Sequence, residues 1–130
     1  MDVIADIKAR LAKYPGARFE ETATSIKVLP EDETGFPVTM YATPAGFTVH
    51  FHGWHEDFAS AEEALNCFAF GLSARCRLRV VYRGAMPTKW IVEVQREGEW
   101  VAYSETGLIF IPFWLPRRIV YLQNRLVSAS

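Results

Sequence analysis

The side chains best suited to chemistry fall in one run, His50-Phe51-His52-Gly53-Trp54-His55-Glu56-Asp57, which holds all three histidines of the chain. Neutral imidazoles bind transition metals, and a neighbouring carboxylate supplies an oxygen ligand. His50, His52, His55 and Glu56 are therefore a candidate metal or ligand set, with Asp57 as a second carboxylate. Residues 47–53 alternate in the manner of a strand, which would place His50 and His52 on one face, opposite Phe47, Val49 and Phe51. The spacing differs from the helical H-E-x-x-H pattern, because Gly53 and the alternation oppose a helix.

The same residues could run acid/base chemistry, with His52 or His55 as general base and Glu56 or Asp57 orienting it. No nucleophile accompanies them. The chain has no G-x-S-x-G or P-loop pattern, and Cys67 lies in an apolar stretch that raises a thiol's pKa. A small metal-dependent or acid/base enzyme is thus one reading, with a metal ion as its implied cofactor.

Two further groups of residues could recognise a partner. Arg75, Arg77, Arg79 and Arg83 share a strand face, and arginines interleaved with aromatics can hold single-stranded nucleic acid. Lys89, Glu93 and Gln95 fall on the matching face of the next strand, however, so cross-strand pairing accounts for the stripe without a ligand. Residues 107–115, GLIFIPFWL, are apolar at every position that could face either way. Such a run is either a strand covered on both sides or a surface that another chain covers. In the second case Phe110, Phe113 and Trp114 would be the anchors of a homodimer or partner contact, since large aromatics dominate interfaces. The four tryptophans, at 54, 90, 100 and 114, otherwise read as core and rim packing.

These residues need elements to carry them. Val3, Ile4, Ile7, Leu11 and Tyr14 recur at helical spacing, so residues 2–13 form an amphipathic helix capped by Asp2 and stopped by Pro15-Gly16. One or two strands follow in residues 18–29, then an acidic loop at 30–35. Residues 36–43 and 47–53 form a hairpin about Pro44-Ala45-Gly46. Ser60 and Glu63 have the spacing of a capping box, which starts a largely covered helix at Ala61 that ends near Gly71. From Arg75 the period is two, through 75–83, 88–96 and 100–105, with Cys76, Leu78, Val80 and Tyr82 facing the core with Trp90, Val92 and Val94. Residues 107–114 read as a further strand with Pro112 at an edge or bulge, and 117–126 as a last strand in preference to a short helix.

The chain has 130 residues, half of them apolar, which suits a single domain with one core. The residues from Val127 to Ser130 are the stretch expected to be least ordered. Charges at Asp2, Asp6, Lys8 and Arg10 interrupt the apolar core that an export signal requires, so none is expected in these residues, and nine apolar residues at 107–115 are too few to span a bilayer. Two cysteines cannot build a structural zinc site and read as buried free thiols, which fits a reducing cytoplasm. The net charge of -1 conceals acidic residues 1–74, at -6, and basic residues 75–130, at +5. Such halves would attract each other or pair across strands.

The expected architecture is α+β: one curved, mainly antiparallel sheet of about seven to nine strands with two helices on one face. The expected function is a non-enzymatic binding module, without a resident cofactor, that meets a protein partner or a second copy through the aromatic edge. The histidine enzyme and the arginine-face nucleic-acid binder are its alternatives.

Overall fold

The computed structural model describes residues 2–127, and the protein it shows is α+β, with two helices and two antiparallel sheets. Helix α1 (Val3–Leu11) begins where Asp2 accepts a hydrogen bond from the Ala5 amide at 3.1 Å, and it buries Val3, Ile4, Ile7 and Leu11. The strands β1 (Arg18–Glu21), β2 (Ser25–Leu29), β3 (Val38–Thr43), β4 (Gly46–Phe51) and β5 (Trp54–Phe58) then form a five-stranded meander in chain order. Helix α2 (Ala61–Leu72) follows. Strands β6 (Cys76–Arg83), β7 (Met86–Arg96), β8 (Glu99–Gly107) and β9 (Arg117–Leu122) make a second sheet in the order β8-β7-β6-β9.

Two expectations fail, and one strand was not foreseen. The strands do not join one continuous sheet, because no ladder connects the first five to the last four. Residues 54–58, to which the sequence assigned no element, are a strand paired with β4 about a tight turn at His52-Gly53. Residues 108–116 are not a strand at all. They carry the chain from β8 on one edge of the second sheet to β9 on the other, so no neighbouring strand is placed to pair with them. The last strand is β9, paired to β6, and it ends at Leu122, short of the expected 126. Of the expected frayed end, Val127 bridges to Ser73, and residues 128–130 lie outside the described residues.

Helix α2 sits between the sheets, against β3, β4, β5 and β6, while α1 packs on α2 and β3. Gly71 lets α2 reach the first sheet, since a Cβ there would stand 2.4 Å from the Phe51 ring. Asn124, just beyond β9, ties the layers together. It accepts from the Phe36 amide and donates to the Phe36 and Gly71 carbonyls, each at 3.0 Å, in a site that excludes water. Three satisfied bonds on one buried amide make a structural staple, because each group left without its partner would cost about 1–3 kcal/mol.

The two sheets meet at the tip of the β4–β5 hairpin. Trp54 is wholly buried, and its Nε1 donates to the Ser104 hydroxyl of β8 at 3.1 Å. Beside it Gly53 lies flat against Trp90 of β7, where a Cβ would come within 2.2 Å of the indole. Gly53→Ala should therefore lower stability by about 1–3 kcal/mol through overpacking of the indole. Gly16→Ala, with open space around its Cα, is the control and should be neutral or slightly stabilising. Urea denaturation of both variants checks this, and equal midpoints would mean that the sheets do not meet through Trp90.

Candidate functional site

The hairpin turn redistributes the histidines. Chain reversal at His52-Gly53 puts His52 at φ 59°, in the left-handed region, and takes it off the strand face that holds His50. His50 instead pairs across the hairpin with His55, their rings stacked at 5.2 Å, with Tyr41 edge-on to His50 on the other side. Asp57, also on this outer face, accepts from the Thr48 hydroxyl at 2.7 Å. Glu56 points to the opposite face of β5 because side chains alternate along a strand. The expected set of His50, His52, His55 and Glu56 is therefore divided among a sheet face, a turn and the inner side of a strand. Among the described residues no three His, Cys, Asp or Glu side chains are placed to hold a metal ion together.

His52 has a structural partner. Its Nδ1 accepts from the Trp90 Nε1 at 2.7 Å, which requires the ring to be unprotonated at that nitrogen. Partial burial holds its pKa below the usual histidine value. His50 is lowered as well, by burial first and by the neighbouring His55 second, with Asp57 opposing. Cys67 and Cys76 are buried free thiols, and burial pushes Cys67 up to about 12 and Cys76 higher still, so neither is a thiolate nucleophile at neutral pH.

The arginine stripe is engaged within its own sheet. Arg77 pairs with Glu93 at 2.6 Å, and its guanidinium is held between Trp100 at 4.5 Å and Tyr121 at 4.2 Å. Arg79 reaches the other oxygen of Glu93 at 3.8 Å. Glu93 is 6 % exposed, so this pairing neutralises a carboxylate that could not be left alone there.

What stands out on the surface is the crossover of residues 108–116. Ile109 is 91 % exposed, Phe110 87 %, Phe113 73 % and Trp114 72 %. The expectation of a covered strand fails here, and the candidate anchors Phe110, Phe113 and Trp114 stand in solvent. The backbone beneath them is held. The Leu108 amide donates to the Thr88 carbonyl at 2.9 Å, and the Gly84 amide to the Pro116 carbonyl at 2.8 Å, which fixes both ends. Within the loop the Leu115 amide donates to Pro112, and Arg83 reaches the Phe113 and Leu115 carbonyls from below. Phe113 and Trp114 meet edge to face at 5.4 Å.

Comparison with family models, with curated proteins and with solved structures finds no match, so the site is read from its geometry. Among the described residues no helix is long and apolar enough to cross a membrane.

The lowered His52 and His50 values have a consequence for stability. With folded pKa values below 6.5, the unfolded chain binds more protons than the native one as pH falls, so native stability is full above about 6.5 and declines toward the folded values. His52→Asn tolerates the positive φ and can still accept from Trp90, but it does not titrate. Urea midpoints at about pH 7.5 and about pH 5 should fall less for this variant than for the native chain. An equal fall would show that His52 binds its proton as readily in the native chain as in the unfolded one.

Proposed function

We propose that this protein is a non-enzymatic interaction module that docks through the crossover loop onto a protein surface, in the first place that of a second copy. The observation that carries the reading is the combination of a pinned loop backbone with four large apolar side chains standing in solvent. Loops are normally polar at their tips, and a contiguous apolar patch of this kind marks an interaction surface. Each aromatic side chain offers about 150–250 Å² for burial. Three of them offer about 450–750 Å², more than half of the roughly 800 Å² that one partner contributes to a standard interface. Because the loop is held in place before contact, little further ordering is needed on association.

The surroundings agree. Arg117 and Arg118 follow the loop directly and are exposed. They favour a docking surface with an acidic rim around an apolar centre. Among the described residues the buried thiols and the dispersed histidines lend the competing enzyme reading no support.

Light scattering over a concentration series tests the proposal. The native chain should gain mass with concentration, whereas Phe113→Ala/Trp114→Ala should stay monomeric with an unchanged urea midpoint, since exposed side chains contribute within about 0.5 kcal/mol to stability. Identical scattering from the two proteins would remove self-association through this loop.

A further inference from the structure

On a surface separate from the loop, the sheets diverge beyond Trp54 and leave a groove of about 430 Å³ roofed by α2. Its lining comes from three elements that each depart from their own pattern. On β5, Trp54, Glu56 and Phe58 alternate onto the face that packs inward, opposite Phe51, Val49 and Phe47 of β4. Trp54 is in the core, so Glu56 places a carboxylate on the core side of its strand, at the point where the core opens. On α2, Glu63, Cys67 and Phe70 follow one another along a single helical face. The Glu63 amide donates to the Ser60 hydroxyl oxygen at 3.3 Å, while the Glu63 carboxylate lines the groove. The return bond of a capping box is not among the hydrogen bonds of the described residues.

The third departure is on β8. Ser104 is opposite Val92 and Ala102 opposite Glu93, so Tyr103 is the extra residue of a β-bulge. Bulges re-aim a side chain out of the regular alternation. Here the bulge turns Tyr103 into the groove, where its ring meets Phe70 edge to face at 6.3 Å. The neighbouring Trp54–Ser104 bond holds the bulge against the hairpin.

Neither Glu56 nor Glu63 belongs to an ion pair among the described residues. Arg96 lies at the exposed rim, so the groove sets two carboxylates against one guanidinium. Burial raises the Tyr103 hydroxyl, and the Glu56 charge raises it further. The phenol therefore remains neutral, a donor and a π-face. An apolar trough with negative charge at its walls repels anions, and among the described residues no three His, Cys, Asp or Glu side chains, those of its lining included, are placed to hold a metal ion together. It suits a cation that brings its own apolar surface, since aromatic faces attract such a head and bury its body.

We propose that this groove binds a small organic cation, an ammonium head on an aromatic or short aliphatic body, with Glu56 and Glu63 taking the charge and Phe70 and Tyr103 the body. The probe is 2-phenylethylammonium, titrated into the full chain and followed by amide chemical shifts, with the neutral 3-phenylpropan-1-ol as comparator. Saturable shifts should be confined to β5, α2 and the bulge of β8, and the alcohol should bind at least about tenfold more weakly. Glu56→Gln keeps the side chain's shape and removes an inward-facing charge, so it should fold with an equal or higher urea midpoint while weakening the amine about tenfold or more. Glu63→Gln should weaken it in the same direction. Equal binding of amine and alcohol, native affinity in both variants, or no saturation below about 10 mM would each overturn the proposal.

Discussion

Everything in this molecule depends on how one hairpin tip enters the second sheet. The two sheets share no ladder, so backbone hydrogen bonding cannot hold them together. The junction is made instead by side chains at the β4–β5 turn: Trp54 buried to its indole nitrogen, Gly53 flat on Trp90, and His52 capping the Trp90 N–H. Burying a tryptophan removes more surface from water than burying any other single side chain, and its one polar atom must then find a partner. Ser104 is that partner, which couples the hairpin to the strand where the Tyr103 bulge sits. The turn needs a positive φ at His52 and no Cβ at Gly53, so two unfavourable local features are maintained by one non-local contact.

The elements that depend on local chemistry were legible in the chain. Asp2 and Ser60 mark helix starts because an exposed amide needs an acceptor wherever the chain goes next. Pro44-Ala45 turns a hairpin for reasons internal to the turn, and Arg77 meets Glu93 because register follows from the alternation of both strands. The failures are all non-local. The alternation of Trp54, Glu56 and Phe58 is a strand pattern with a carboxylate in the middle, and Glu56 faces inward only because the core opens beside it. A charged residue at a core parity position reads as a break when the groove it lines cannot be seen. Whether the strands form one sheet or two depends on that same opening.

Residues 108–115 fail for the opposite reason. Their composition is that of a buried strand, but hydrophobic residues are inside only where a partner exists to cover them. The order β8-β7-β6-β9 sends this stretch across the end of its own sheet, over the β6–β7 turn, where no strand is left to pair with it. Pro112 was the local sign, since a residue without an N–H weakens any claim to a ladder. The parity of His50 and His52 misled similarly: it holds only while the strand continues, and the chain turns at the second histidine. The residues that matter most to the groove, Tyr103 and Phe70, carried no signal, because a bulge is a register slip against a partner strand.

The distribution of charge connects the two surfaces. The acidic first part and the basic second part of the chain were expected to attract each other, yet every ion pair among the described residues lies within one part or the other. Lys8 meets Glu21 and Arg10 meets Asp6 in the first; Glu93 takes Arg77 and Arg79, and Glu105 takes Lys89, in the second. Pairing inside the sheets thus consumes the second part's glutamates at 93 and 105 and leaves Arg117 and Arg118 in solvent beside the aromatic loop. In the first part it leaves Glu56 and Glu63 beside the groove. Two arginines outside the ion pairs thus flank the aromatic loop, and two such glutamates line the trough with Arg96 at its rim. A fold that needed these charges for its own cohesion would have set them against each other across the junction, where Trp54, Gly53 and Trp90 stand instead.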